Sequence, residues 1–228
     1  MKVSKRVADN DSKVDQTRDY DIKEAISLLK SLKGTKFDEM FEAHINLGID
    51  PKHADQNIRA AVSYPHGTGR KVKILVLTKL KADEAQKAGA DFVGLEEYIE
   101  KIKKGWTDVD IIVATPDVMG QVGRIGKILG PKGLMPNPKS GTITNDVAKA
   151  IKELRAGRVE IRVDKYGIIH SPVGKRSFND EKIEENVKTL VATLMRMKPA
   201  VVKGLYFQRL TLSTTMGPGI QVDKSTVL

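Results

Sequence analysis

VKILVLT, residues 72–78, decides how this chain is read. It is a near-continuous apolar run of strand length, which predicts a strand covered on both faces. VDIIVATPD, residues 109–117, repeats the pattern. Around these runs, helical and extended stretches alternate. ADEAQKAG predicts a short helix, ADFVG a short strand, and LEEYIEKIKKG a helix stopped by Gly105. Another helix begins near Pro116. TITNDVAKAIKELRAG predicts a helix capped by Asn145 or Asp146 and stopped by Gly157. Apolar strands alternating with helices define a small open α/β sheet with parallel strands.

On either side of this block the pattern changes. Ile22, Ala25, Ile26 and Leu29 share one helix face, with Asp21 as N-cap, Glu24 three residues on and Gly34 as the stop. Phe41, Ala43, Ile45, Leu47 and Ile49 then alternate with Glu42, His44, Asn46 and Gly48. That period of two marks a half-buried strand with one open face. DPKHADQN reads as a loop and SYPHGTGRK, residues 63–71, as a linker. After Arg158, VEIRV, the turn DKYG and IIHSPVG read as a hairpin. A long helix follows, capped by Asn179 or Asp180, with Ile183, Val187, Leu190, Val191 and Leu194 as its buried stripe. KGLYFQRLTLSTTMGPGIQV closes the chain with one long alternating strand and a turn at MGPG. Residues 1–19 are polar and charged and read as a loosely held arm.

The same strand type therefore stands on both sides of a different block. The economical architecture combines α/β and α+β in two domains. A discontinuous α+β domain, residues 1–67 and 158–228, carries an antiparallel sheet and two helices. An α/β domain with a mostly parallel sheet, residues 68–157, is inserted in it, and the crossings near 67 and 158 would act as a hinge.

Composition narrows the function classes. The 228 residues carry 39 Lys and Arg against 29 Asp and Glu, a net charge of +10, which raises the prior for a polyanionic partner. Residues 68–158 hold 17 basic and 11 acidic residues, so the excess is spread over both domains. There is no Cys, which removes thiol chemistry and suits a reducing cytoplasm. No apolar run of about 18 residues is present to span a membrane, and the N-terminus has no signal-peptide pattern.

The α/β block invites a nucleotide-binding reading, which its glycines do not support. Gly126-Lys127 is followed by Ile128, and Gln121 stands five residues before Gly126, so no P-loop is formed. The dinucleotide fingerprint is missing after both apolar strands. Gly120, Gly123 and Gly126 are spaced by three, which on a helix predicts a smooth face for close packing. His44, His53, His66 and His170 lack the spacing of metal ligands, and no metal or other cofactor is expected. Asp117 ends an apolar strand at the usual place for an α/β site, but has no acid–base partner in the sequence. No catalytic residue is assigned and no enzyme is expected.

Binding features are stronger. From Val118 to Asn145 there is no acidic residue, and Arg124, Lys127, Lys132 and Lys139 lie there among glycines and prolines that set turns rather than bury surface. Lys36-Phe37 places a cation beside an aromatic, the pairing that holds irregular RNA by stacking and phosphate contact. Packing in the core is the competing reading for Phe37. STTMG, residues 213–217, ends the last strand with hydroxyls, a flexible thioether and a glycine turn.

Four segments together resemble the bacterial form of the large-subunit ribosomal protein L-one family. They are KFDEMFEAHINLGIDPKHADQNIRA, ATPDVMGQVGRIGKILGPKGLMPNPKSGT, IHSPVGKRSF and STTMGPGI. The resemblance implies a composite first domain and a Rossmann-like inserted one. It implies binding to 23S rRNA at the mobile stalk beside the exit site, help in releasing deacylated tRNA, and repression of translation through the protein's own operon mRNA. It places the principal RNA contacts at Lys36, Phe37, Glu42, Asp164, Lys165, Thr215, Met216 and Gly217. A weaker second contact falls at Arg124, Lys127, Lys132 and Lys139. The implied partners are the large ribosomal subunit, 23S rRNA, exit-site tRNA and the operon mRNA, for a cytoplasmic protein that is monomeric when free. Tyr166 and Arg209 depart from the family pattern, and no contact is assigned to them. The readings set against this one are a nucleotide-binding α/β enzyme and a general nucleic-acid-binding regulator. The first lacks the phosphate-binding glycines, and the second lacks a recognition helix.

Overall fold

The computed structural model describes residues 4–53 and 55–227, and of Lys139 the backbone alone. In chain order it runs α1 (Lys5–Asp11), α2 (Ile22–Ser31), β1 (Met40–Leu47), β2 (Arg59–Ser63), β3 (Ile74–Leu77), α3 (Ala82–Lys87), β4 (Phe92–Gly94), α4 (Glu96–Lys103) and β5 (Ile111–Ala114). Short 310 turns then alternate with α5 (Met119–Val122) and α6 (Gly126–Leu129). The chain continues through α7 (Val147–Arg155), β6 (Arg158–Arg162), β7 (Ile168–Lys175), α8 (Asp180–Arg196), β8 (Phe207–Thr214) and β9 (Ile220–Val222). Both α/β and α+β arrangements are present. The backbone parts into two compact units, one formed by Met1–Gly69 with Val159–Leu228, the other by Arg70–Arg158. Among the described residues no helix is long and apolar enough to cross a membrane.

In the first unit, β1 lies between β7 and β8, and β9 pairs with β8, all antiparallel. The alternation in β1 sends Phe41, Ala43, Ile45 and Leu47 inward. They meet the expected α8 stripe and the apolar face of α2, which form one core. Asp21 caps α2 by accepting from the Lys23 amide at 2.8 Å. Glu24 does not close a capping box, because it pairs with Arg18. Gly34 does not stop α2. The helix ends at Ser31, and Arg176 donates to the carbonyls of Lys30 in its last turn and of Leu32 just beyond it.

The expected arm at the N-terminus is in fact built. Ser4 caps α1, and Asn10, only 1% exposed, exchanges hydrogen bonds with the Lys33 backbone at 3.0 and 3.1 Å. The expected hairpin also divides. β6 pairs with β2, a strand for which the sequence reading made no provision, whereas β7 joins β1. Among the described residues a Val163–Ile169 bridge and the turn at Asp164 connect the two. Asn186 on α8 is fully buried and donates to the carbonyls of Val173 and Gly67 at 2.7 and 2.9 Å. The expected linker is thereby tied down at Gly67, and a buried amide is satisfied.

The second unit has the parallel order β4-β3-β5, and Ile143 bridges the far side of β5 in parallel. All four residues of β3 are fully buried. Leu75 and Leu77 face one apolar cluster with α4 and residues 118–129, while Ile74 and Val76 face another with α3 and α7. This double cover is why the strand reads as a continuous apolar run.

The Gly- and Pro-rich stretch differs from its sequence reading in two respects. It contributes core, since Val118, Val122, Ile125 and Leu129 are buried. Its glycines are not a packing face. A Cβ at Gly120 or Gly123 would meet nothing within 4 Å, and one at Gly126 only Met135 at 3.8 Å. The apolar residues between the glycines turn inward and leave the glycines on the outside.

Candidate nucleic-acid interface

Helices α2 and α8 cover one face of the four-stranded sheet, so the other carries the residues that alternate with the core. On β1 these are Met40, Glu42, His44 and Asn46, none of them buried. Opposite them stand His170 and Pro172 on β7, and Arg209, Thr211 and Ser213 on β8. The face runs about 24 Å along β1 at strand rise. At the Met40 end lie the 33–38 loop and the 214–217 turn. At the Leu47 end lies the 164–167 turn, where the Leu47 amide donates to the Gly167 carbonyl at 3.0 Å. The sequence-predicted residues of the composite domain thus occupy one face and its two ends.

Phe37 is 57% exposed, so the alternative of a core aromatic does not hold. Lys36 beside it is exposed too. The loop beneath is fixed. Asp38 accepts from the Ser177 hydroxyl at 2.8 Å, and the carboxylate of Glu39, 1% exposed, meets Arg176 at 3.0 Å.

The 213–217 segment displays less than its sequence suggests. The Ser213 hydroxyl is 2.9 Å from His44 Nε2, and Thr214 is buried. Thr215 Oγ1 accepts from the Met40 amide at 3.0 Å, while the Thr215 amide donates to the Met40 carbonyl at 3.0 Å. These groups anchor β8 to the start of β1. Thr215 and Met216 are both exposed, and Met216, 52% exposed, is the one whose side chain makes no such anchor. Gly217 is required by space, since a Cβ there would lie 2.2 Å from Thr214 Oγ1.

Asp164 is mainly a turn builder. Its Oδ1 accepts from the amides of Tyr166 and Ile168 at 2.9 and 2.8 Å. Burial works to raise this carboxyl, but those amides and the adjacent His170 outweigh it and hold it below the usual carboxylate range. Gly167 closes the turn at φ +81°, a region that disfavours side chains. The turn presents Lys165 and Tyr166, the ammonium 5.0 Å from the ring centroid and the ring 69% exposed. Each end of the face therefore carries a lysine with an aromatic. Sequence reading set Tyr166 aside, and a lysine next to an aromatic was the signal available to find it.

The histidines of β1 and β7 meet across the strands, with His44 Nδ1 and His170 Nδ1 2.8 Å apart. One ring must donate and the other accept, so the pair holds this contact with at most one positive charge. His170 Nε2 lies 3.5 Å from Asp164 Oδ2. Burial, then the neighbouring His170, hold His44 below its ordinary 6.5, against a weaker opposing pull from Glu42. The folded state thus prefers neutral His44. Its contribution to stability is present above pH 6.5 and is lost as pH falls toward the lowered folded value. The denaturant midpoint of the full chain should fall as pH drops below 6.5, and His44→Gln should remove part of that fall. Parallel pH profiles for the two proteins would count against the pair as its source.

In the second unit Arg124, Lys127 and Lys132 are exposed. Lys132 Nζ donates to Thr107 Oγ1 at 2.6 Å. Lys139 lies in a 310 turn, Pro138–Ser140. Among the described residues no three His, Asp or Glu converge as a metal site would.

The geometry defines a two-unit protein with an open, polar β-sheet face ended by cation–aromatic loops. The model of the ribosomal protein L1p/L10e family matches residues 28–218. Large ribosomal subunit protein uL1 of Chlorobaculum tepidum is 55% identical over 214 residues, 93% of each chain. Its counterpart from Kosmotoga olearia is 51% identical over 228 residues, all of this chain and 99% of the relative. The chain belongs to the ribosomal protein L1p/L10e family. It is a ribosomal protein rather than an enzyme.

Proposed function

We propose that the open face of the composite unit binds 23S rRNA at the mobile stalk of the large ribosomal subunit. The chain is a structural constituent of that subunit, as its family membership implies. The observation that carries the RNA reading is the alignment of Phe37, Glu42, Met216 and the Lys165–Tyr166 pair along one uncovered sheet face. Exposed aromatic and thioether groups offer surface to unstacked bases, and the lysines beside them meet phosphates. Arg124, Lys127, Lys132 and Lys139 on the second unit form a weaker, sequence-independent contact.

At the stalk the protein assists movement and release of deacylated tRNA from the exit site. The same face binds an element of its own operon mRNA and represses translation. The protein acts in the cytoplasm, on the ribosome, and is monomeric when free. Hydroxyl-radical footprinting of the full chain on total large-subunit rRNA tests the reading. One compact protected region is expected, and a fragment of the operon mRNA should compete for it. Scattered or absent protection would remove the proposal.

A further inference from the structure

We propose that Arg6 is a positioning residue for RNA binding, joining the two loops at the Met40 end of the open face before RNA arrives. This rests on the reading of that face as the RNA surface. Arg6 Nη1 donates to the Lys33 carbonyl and Nη2 to the Met216 carbonyl, both at 3.2 Å. The first carbonyl begins the loop that carries Phe37. The second belongs to the residue that presents the exposed thioether. The two acceptors lie at opposite ends of the chain, and neither belongs to a helix or strand.

The base from which Arg6 reaches is firm. Ser4 caps its helix, and buried Asn10 holds the Lys33 amide and carbonyl. Asp9 pairs with the Lys33 ammonium at 2.5 Å. The Lys33 carbonyl therefore receives both Asn10 and Arg6. A guanidinium suits this work because its planar fork sends two donors toward two carbonyls, whereas an ammonium is a single point. With Arg6 in place, Phe37 and Met216 are held at a fixed separation. Without it, each segment keeps its own anchors, but the direct link between the Lys33 and Met216 carbonyls is lost, and RNA binding must fix their separation.

The test compares the full chain with Arg6→Ala and Arg6→Lys on the rRNA fragment found by footprinting. Affinity, dissociation rate and the slope of log Kd against log salt are measured with each protein's melting temperature. Arg6→Ala should weaken binding about tenfold, mostly through faster dissociation. The salt slope should stay unchanged, because Arg6 faces carbonyls and not phosphates, and Arg6→Lys should not restore affinity. The added cost of Arg6→Ala should shrink in a Thr215→Ala/Met216→Ala background. Unchanged affinity in Arg6→Ala would overturn the role, whether or not its melting temperature falls. A slope reduced by about 0.9, restored by Arg6→Lys, would make Arg6 a phosphate contact and overturn it equally. If Thr215→Ala/Met216→Ala alone binds as the parent does, the RNA face itself is wrong and this role falls with it.

Discussion

Replacing Thr215 and Met216 together by alanine should weaken binding to the footprinted rRNA fragment about 100-fold, close to 2.7 kcal/mol. The two side chains contribute differently. Met216 projects from the turn and is half exposed, so its loss subtracts surface offered to RNA and little packing. Thr215 Oγ1 accepts from the Met40 amide, and its loss also removes one of the two bonds that join the end of β8 to Met40. That bond is worth about 1 kcal/mol of stability. Met216→Ala should therefore lower affinity at constant melting temperature, whereas Thr215→Ala should lower both modestly. Filter binding at fixed salt, run beside thermal unfolding, separates the two contributions. Parental affinity in the double variant would show that specific recognition lies elsewhere on the molecule.

Arg176→Ala should have the largest effect on folding. Its guanidinium meets the buried Glu39 carboxylate and also caps the C-terminal end of α2 at the Lys30 and Leu32 carbonyls. Among the described residues Glu39 Oε1 already has no hydrogen-bond partner. Removing Arg176 leaves a buried charge unpaired, a change that costs about 3–5 kcal/mol. Against a typical domain stability of about 5–15 kcal/mol this is a large fraction. Urea unfolding of the full chain should show the composite unit melting early. rRNA affinity should fall with it, because the Lys36-Phe37 loop hangs between α2 and Glu39. Arg176→Met with Glu39→Gln should recover much of the loss, since no buried charge remains. A cost below about 1 kcal/mol for Arg176→Ala would mean that the Asp38–Ser177 contacts hold the loop unaided.

What was legible in the sequence was whatever repeats locally. The alternation in β1 shows because one face is core and the other open, and the apolar run of β3 shows because both faces are covered. Asp21 and Asp146 cap the helices at which the sequence places them, each accepting from a nearby amide. Asn179 occupies its expected N-cap position without a side-chain bond. Failures came where distant segments decide the outcome. Asn10 is polar yet buried because Lys33 supplies its partners. Gly120, Gly123 and Gly126 have packing-face spacing, but spacing does not say which side faces the core. The hydroxyls of Ser213 and Thr215 look available in the sequence and are engaged by His44 and Met40. The His44–His170 contact joins residues on two strands whose pairing no local period encodes.

The placement of β1 has a consequence for synthesis. Both of its neighbours, β7 and β8, come from residues 168–175 and 207–214, after the whole inserted block. While the chain is being made, β1 has two unpaired edges, and of the two helices whose apolar faces share its core only α2 precedes it. The inserted block can close on itself first, since β3, β4 and β5 are near neighbours in sequence. The composite sheet is completed only when synthesis is almost over, a late, long-range step of the kind that is slow. An incomplete chain therefore has no open face to offer, and truncation within β8 should abolish it outright.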